Sequence, residues 1–358
     1  MNAPFPQPLL VVGCPRSGTF LLCAFLEANF DIVTPTETHF IPYFQKYLFY
    51  WGDLRKKNNR IRLLGAIYEF LEIWIPRNMA GRDPKEAKRL SLLDTRPEFD
   101  AIISNSSSYT ELIQALFMAY AKLHGKKYSA DKSAFFSVVP LRTLESSLPD
   151  MRVIHIVRDG RDVCVSWLKT WFPPQNLCQA AHLWAKHVVD KRTWGREHPD
   201  QYLEVRYEDF VADPPSALLH LSRFLQMQPV AEPVHLEQTP LAKMLVTGVT
   251  HQQLGGKINA DNIGKWVDQL SASDAKLMMS IAGKVLGESG YAIEPDTQAT
   301  WLDKIKIRAL THLFPFFQKM FYLRATKPIL PLAIIVCQIL GISLSKILNR
   351  GNQYAGWR

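Results

Sequence analysis

Short apolar runs that end at glycine, proline or charged residues recur along the first two thirds of this 358-residue chain. Such runs are typical of buried parallel strands. The candidate strands are residues 9–12, 30–33, 128–133, 153–157 and 201–206. Between them, apolar residues follow helical spacing, as in residues 20–26 and 216–225. The alternation predicts an α/β fold in which helices flank a P-loop-like parallel sheet.

One long segment, residues 43–125, has helical spacing and many aromatic side chains. Helix-spaced aromatic residues usually belong to a core. Within it, residues 77–100 are charged and include Pro84 and Pro97, which predicts a loop or short helices. We expect a helical insertion that could form a lid and an acceptor pocket over the edge of the sheet.

The loop after the first strand has the spacing of a phosphate-binding loop. Gly13 and Gly18 fit G-x-x-x-x-G, and a helix follows directly. Backbone N–H groups and the helix dipole favour an anion at such a turn. Thr19 stands where a nucleotide kinase needs lysine, and the positive charge lies inside the loop at Arg16. These residues predict a site for a phosphate-like group without Mg²⁺, although any anion-binding turn would show the same pattern.

A second charged element follows the strand at residues 153–157. Arg158 stands at the carboxyl end of this strand, Asp159 or Asp162 can cap the next helix, and Ser166 comes eight residues after Arg158. An arginine fork and a serine hydroxyl suit a phosphate dianion. The alternative is a surface cluster of ion pairs.

Together these motifs resemble those of sulfotransferases that use 3′-phosphoadenosine 5′-phosphosulfate (PAPS). PRSGT resembles the 5′-phosphosulfate loop of the bacterial and tyrosylprotein members, and RDGRDVCVS resembles the family's 3′-phosphate element. RYEDF and GKW resemble two further family motifs, so that the resemblance covers residues 8–293. The cofactor-binding residues that it implies are Pro15, Arg16, Ser17, Gly18, Thr19, Phe20, Arg158, Ser166, Tyr207 and Lys265.

Glu37 and His39 follow the second strand, at the sheet edge where open α/β folds place their chemistry. ETHFIP resembles a tyrosylprotein sulfotransferase segment, which implies Glu37 as the general base, with His39 as the second candidate. Lys132, in DKS, resembles a family lysine that contacts the phosphosulfate, although Ala134 replaces the usual proline. The resemblance therefore implies Glu37, Arg16, Lys132 and His39 as catalytic residues. The alternatives are an exposed loop acid or a helix cap for Glu37 and a surface lysine for Lys132.

The five cysteines are scattered and lack metal-ligand spacing. They predict buried thiols in a reducing compartment and no bound metal. The N-terminus lacks the pattern of a secretory signal. Of the net charge of +9, residues 299–358 carry +8. A nearly neutral body argues against nucleic acid as a partner.

The predicted helical tail, residues 294–358, contains an uncharged stretch at residues 328–345, flanked by basic residues. Eighteen residues lie at the lower limit for a membrane span. A basic segment in the interface of an anionic membrane fits the sequence better than a span, and a helical hairpin packed on the domain is the third alternative. We therefore expect a cytoplasmic protein, peripheral at the inner membrane face.

The sequence predicts transfer of a sulfuryl group from PAPS to a hydroxyl, of a small-molecule, lipid, glycolipid or carbohydrate acceptor, with peptide tyrosine left open. A sulfuryl group carries less charge than a phosphoryl group, so cationic and amide donors suffice without a metal. The alternatives are an ATP-dependent phosphotransferase, which Thr19 disfavours, and a catalytically inactive, membrane-associated nucleotide-binding module.

Overall fold

The computed structural model describes residues 8–35, 37–78, 90–132, 141–170, 174, 176–239, 241–242, 258, 260–293 and 307. Within this part of the chain, parallel strands form one five-stranded sheet. The strands are β1 Leu9–Gly13, β2 Ile32–Val33, β3 Tyr128–Asp131, β4 Val153–Val157 and β5 Tyr202–Arg206. The predicted α/β fold with a parallel sheet is confirmed.

The strand order is β2-β3-β1-β4-β5, and every pairing is parallel. After β1 the chain moves to one side of the sheet for β2 and β3, then crosses to the other side for β4 and β5. The direction therefore reverses at β1, which is where open α/β sheets bind ligands. In register, Gly13 pairs with Ile156 and Leu10 with Asp131, so the ends of β3 and β4 flank the loop that leaves β1.

Helices cover the sheet and supply most of the remaining core. The α-helices are α1 Thr19–Asn29, α2 Phe40–Gln45, α3 Lys57–Asn78, α4 Phe99–Ser104, α5 Tyr109–Leu123, α6 Gly160–Leu168, α7 Leu177–Glu197, α8 Tyr207–Ala212, α9 Pro214–Leu225, α10 Trp266–Gln269 and α11 Ala272–Glu288. Short 3₁₀ helices cover Leu48–Trp51, Leu92–Glu98, Leu141–Leu144, Pro199–Gln201 and Leu236–Gln238.

Two groups of buried side chains stabilise this arrangement. The larger joins β1, β2 and β3 to helices α1, α3 and α5. The smaller packs Val157, at the end of β4, against α6, α7 and α11. Every residue of β1 and of β4 is buried, which explains why the two strands are apolar runs in the sequence, with His155 as the one polar residue of β4.

In the predicted insertion, the aromatic residues that helical spacing assigned to a core include Phe44, Trp51 and Phe70, and all three are buried. Phe49 and Tyr50 differ, since both are exposed. The charged segment at residues 77–100 contains the predicted short helix, a 3₁₀ helix at Leu92–Glu98, while residues 79–89 lie outside the described residues.

The cysteines in the described part, Cys14, Cys23, Cys164 and Cys178, are all buried and outside disulfides, as predicted. Apart from Ile307, the tail at residues 294–358 lies outside the described residues, and so do the predictions made for it. Among the helices described, none combines the length and the apolar character that crossing a membrane requires.

Candidate functional site

The loop between β1 and α1 is held in a conformation that turns backbone groups inward. Gly18 precedes α1 with a φ of 94°, and a Cβ atom there would lie 2.6 Å from the Tyr207 ring, so glycine is required. Arg16 also has a positive φ, 74°, which is strained for a residue with a side chain. The N–H groups of the first turn of α1 have no intrahelical acceptors. The geometry suits an anion at the start of α1.

The two charged motifs meet at this loop. Arg16 Nε donates a 3.0 Å hydrogen bond to Ser166 Oγ on α6. Arg158 Nη1 donates to the Arg16 carbonyl at 3.1 Å, and the Arg158 guanidinium lies 4.7 Å from the centroid of the Tyr207 ring. Burial, and to a lesser extent the neighbouring Arg158, lowers the pKa of Arg16. Two guanidinium groups placed this close favour an anionic ligand between them.

The polar atoms that line this cluster fit the phosphate groups of PAPS. Ser17 Oγ and Arg158 Nε are buried, and the described residues supply no hydrogen-bond partner to either atom. Buried polar groups of this kind are costly unless a ligand or water satisfies them. One hydroxyl and one guanidinium N–H are therefore available to bind anionic oxygens.

A segment that we call the strap, residues 260–266, lies across the same cluster. Asp162 accepts hydrogen bonds from the N–H groups of Gly264 at 2.8 Å and Trp266 at 2.9 Å. Arg158 Nη2 donates to the Asn262 carbonyl, and Arg161 lies 4.0 Å from the Trp266 ring centroid. These contacts bring the strap, and with it the exposed Lys265, to the edge that holds Arg158.

Asp162 therefore has a function that its sequence position did not reveal. Both Asp159 and Asp162 were candidates for the cap of α6, and the cap is Asp159, which accepts the Arg161 N–H at 2.9 Å. Asp162 is buried and lies 3.7 Å from Arg158. The sequence did contain a signal for this function: Asp162 is a second aspartate in the first turn of α6, which Asp159 already caps.

The predicted base candidates form a second cluster. Lys132 Nζ contacts one oxygen of Glu37, and His39 Nε2 lies 3.0 Å from the other. Lys132 Nζ also lies 3.6 Å from the centroid of the Phe20 ring, in the first turn of α1. Thr38 lies between Glu37 and His39, and its Oγ1 donates a 2.9 Å hydrogen bond to Asp131 that fixes the backbone there.

Electrostatics assign different protonation states to Glu37 and His39. Burial by itself raises the pKa of Glu37, but Lys132 and the hydrogen bond from His39 outweigh burial and hold it well below the usual range. Burial lowers the pKa of His39 despite the nearby carboxylate, so the imidazole is neutral at pH 7 and donates its Nε2 proton. The Glu37 side chain is 22% exposed and that of His39 is 1% exposed, so Glu37 is the more accessible of the two.

The sequence-predicted residues occupy one edge of the sheet. Glu37 follows β2, Lys132 follows β3, Arg158 follows β4 and Tyr207 follows β5, while Pro15 to Phe20 follow β1. In the described part of the chain, no group of three histidine, cysteine, aspartate or glutamate side chains is arranged to hold a metal ion.

Comparisons with known proteins identify the family of this chain. The sequence profile of the Sulfotransferase family matches residues 8–232. A protein-tyrosine sulfotransferase 1 from Danio rerio is 25% identical over 300 residues, which are 80% of this chain and 72% of that protein.

Two solved structures share the fold. The sulfotransferase domain from the curacin biosynthetic pathway has a TM-score of 0.53 at 18% identity, covering 81% of this chain and 99% of the domain. The sulfotransferase domain of the Synechococcus PCC 7002 olefin synthase has a TM-score of 0.51 at 18% identity, covering 81% of this chain and 97% of that domain.

Proposed function

This chain belongs to the sulfotransferase family, whose sulfuryl donor is PAPS, and we propose that it transfers the sulfuryl group to an acceptor hydroxyl with Glu37 as general base. The observation that carries the proposal is the position of Glu37. Its carboxylate contacts Lys132, and Lys132 lies against Phe20 at the start of α1. A base and a cation therefore lie directly beside the anion-binding loop.

The residues of the loop and of α6 would hold the donor. When bound, PAPS supplies the sulfuryl group. Arg16, Ser17, Gly18 and Thr19 would bind its phosphosulfate through guanidinium, hydroxyl and backbone donors. Arg158 and Ser166 would bind the 3′-phosphate, Tyr207 would contact the adenine, and Lys265 would lie toward the nucleotide, as the family resemblance implies.

Glu37 would take the proton of the acceptor hydroxyl. Its low pKa keeps the carboxylate ionised at neutral pH, so the base is ready but weak. A bound anionic donor would compete with Glu37 for the ammonium group of Lys132. Any movement of Lys132 toward the donor would raise the pKa of Glu37 and make it a stronger base. His39, buried behind Glu37, would orient the carboxylate by its hydrogen bond.

For the acceptor, the proposal from the sequence is a lipid, glycolipid or carbohydrate hydroxyl. It rests on the basic tail, together with exposed Phe49 and Tyr50 on the insertion. Tyrosine of a peptide is the second candidate, because the Danio rerio relative is named a protein-tyrosine sulfotransferase. A cytoplasmic location with the tail at an anionic membrane also remains a proposal.

The test is mass spectrometry of lipid, glycan and tyrosine-peptide mixtures after incubation with the protein and PAPS. A mass increase of one sulfuryl group in one mixture identifies the acceptor class, and Glu37→Gln should abolish most of it. ATP in place of PAPS is the control for a phosphotransferase. No sulfated product in any mixture, with PAPS bound, would indicate an inactive nucleotide-binding module instead.

A further inference from the structure

An exposed surface on the insertion supports the amphiphilic acceptor proposed above, but it has no assigned role in donor binding or proton transfer. We call it the aromatic turn, residues 46–57. Phe49 is 71% exposed and Tyr50 is 42% exposed, and their ring centroids lie 3.9 Å apart. The neighbouring Trp51 is buried in the core. Two adjacent exposed rings beside a buried one form an apolar surface that water solvates poorly.

The same turn carries four basic residues, Lys46, Arg55, Lys56 and Lys57. Lys46 lies 5.5 Å from the Tyr47 ring centroid, and Lys56 and Lys57 are exposed. The one acid of the turn, Asp53, is bound by the guanidinium of Arg55, with Nε to Oδ1 at 2.9 Å and Nη2 to Oδ2 at 3.0 Å. The aromatic turn therefore has a net positive charge.

The position of these charges is unfavourable for the helix that they adjoin. Lys56 and Lys57 stand at the start of α3, and its first turn contains no acidic residue. The helix dipole is positive at this end and disfavours cations there. Helix stability therefore does not explain the two lysines, and their charge suits an anionic partner.

Hydrogen bonds hold the turn firmly against α3. Arg60 Nη1 donates to the carbonyls of Leu54 at 2.6 Å and Arg55 at 2.8 Å. Asn59 Nδ2 donates to the Asp53 carbonyl at 2.9 Å. The backbone of residues 53–55, which joins the exposed rings to the two lysines at the start of α3, is thus fixed before any partner binds.

We propose that the aromatic turn docks on an anionic lipid surface. Phe49 and Tyr50 would enter the interface, and Lys46, Lys56 and Lys57 would contact the head groups, the combination that interfacial segments use. The chain's own tail does not suit this surface, because residues 299–358 carry a net charge of +8 and would be repelled. The inference does not depend on the proposed reaction, since docking is measured without turnover.

The first experiment is vesicle co-sedimentation of the full chain, with phosphatidylcholine alone and with added phosphatidylglycerol. Lys56→Gln/Lys57→Gln should weaken binding to the anionic vesicles by about thirtyfold, since two such charges contribute about 1 kcal/mol each. Phe49→Ala/Tyr50→Ala should weaken it at least tenfold. The matched controls, Lys122→Gln/Lys284→Gln and Leu219→Ala, replace exposed residues elsewhere and should bind as the wild type does.

The second experiment locates the contact. An environment-sensitive fluorophore on Phe49→Cys, in a chain with Cys337→Ser, should shift to the blue on addition of anionic vesicles, whereas a label on Leu219→Cys should not. The four other cysteines are buried. The proposal is wrong if the full chain ignores anionic vesicles, or if both double variants bind like the wild type and the label at position 49 does not shift.

Discussion

Arg16 Nε donates a 3.0 Å hydrogen bond to Ser166 Oγ, across a separation of 150 residues in the sequence. The sequence assigned Arg16 to the 5′-phosphosulfate and Ser166 to the 3′-phosphate. Since Arg158 also donates to the Arg16 carbonyl, the two phosphate elements form one hydrogen-bonded network. A substitution in either phosphate element is therefore expected to alter ligand binding at the other.

Arg158→Ala should remove most of the preference for 3′-phosphoadenosine 5′-phosphate (PAP) over AMP. The guanidinium is charged, and its Nε has no partner in the described part of the chain. Loss of a charge-assisted contact corresponds to about 1.5–3 kcal/mol of that preference. Calorimetric titration with both nucleotides measures it, with exposed Arg142→Ala as the control. Equal affinity of the wild type for PAP and AMP would contradict the assignment.

Glu37→Gln should lower turnover by about 10²–10⁴-fold, the usual contribution of a positioned base, while PAP still binds. His39→Asn should cost less, because His39 is buried and acts on the reaction only through its hydrogen bond to Glu37. Initial rates with PAPS and PAP affinities for both variants provide the comparison. A more damaging change at His39 than at Glu37 would reverse the two roles.

Lys132→Gln should move the acid limb of the pH–rate profile to higher pH. Lys132 opposes the effect of burial on Glu37, so the pKa of Glu37 rises when Lys132 is removed. The carboxylate then becomes protonated at a pH where it is still ionised in the wild type. Profiles of kcat/KM against pH measure the shift, with Lys127→Gln, at an exposed position, as the control. An acid limb that stays in place would show that Lys132 does not control Glu37.

Asp162→Ala should weaken PAP binding and lower the free energy of unfolding. The N–H groups of Gly264 and Trp266 lose their acceptor, and each lost hydrogen bond costs about 0.5–1.5 kcal/mol. The strap then no longer holds Lys265 beside Arg158. Denaturant unfolding and PAP titration check both effects. Asp268→Ala, on exposed α10, is the control and should change neither quantity. An equal effect of the two substitutions would show that Asp162 does not hold the strap.

Glu27 predicts a pH dependence of stability that is separate from catalysis. Burial raises its pKa to about 7, although its carboxylate accepts N–H groups from Thr34 and Leu241. The folded chain therefore keeps this proton at a pH where the unfolded chain releases it. Stability falls as the pH rises from about 4.5 to about 7, by roughly 3 kcal/mol from this group.

The variant Glu27→Gln isolates that effect. Measured by urea titration, its free energy of unfolding should increase relative to that of the wild type between about pH 5 and about pH 8, so the variant becomes the more stable of the two. Glu288→Gln, at an exposed position, should show no such trend. A difference that is independent of pH would mean that Glu27 is ionised in the folded protein.

Much of the sheet could be predicted from the sequence, because strands buried on both faces are continuous apolar runs. Residues 153–157 were predicted as a strand and are β4 as observed. The motifs also placed Glu37, Lys132 and Arg158 at strand ends, and parallel pairing brings such ends to one edge. Both the position of the strands and the placing of these side chains at one edge of the sheet are therefore encoded in short segments of sequence.

The remaining features depend on contacts between distant segments. The Arg16–Ser166 hydrogen bond and the attachment of the strap to Asp162 require the register between β1 and β4 and the path of residues 260–266. No local spacing specifies either feature. The split between buried Trp51 and exposed Phe49 also follows from how the insertion packs, since all the aromatic residues there have similar helical spacing.

The strand order has a consequence for how this protein is made. β1 emerges first from the ribosome, yet it lies in the middle of the sheet, and its partners β3 and β4 begin only at Tyr128 and Val153. Until they arrive, both edges of an apolar strand stay open, which is the condition that invites aggregation. We expect slow, late and cooperative folding, with a dependence on chaperones during synthesis that fades once the segment through β4 has emerged.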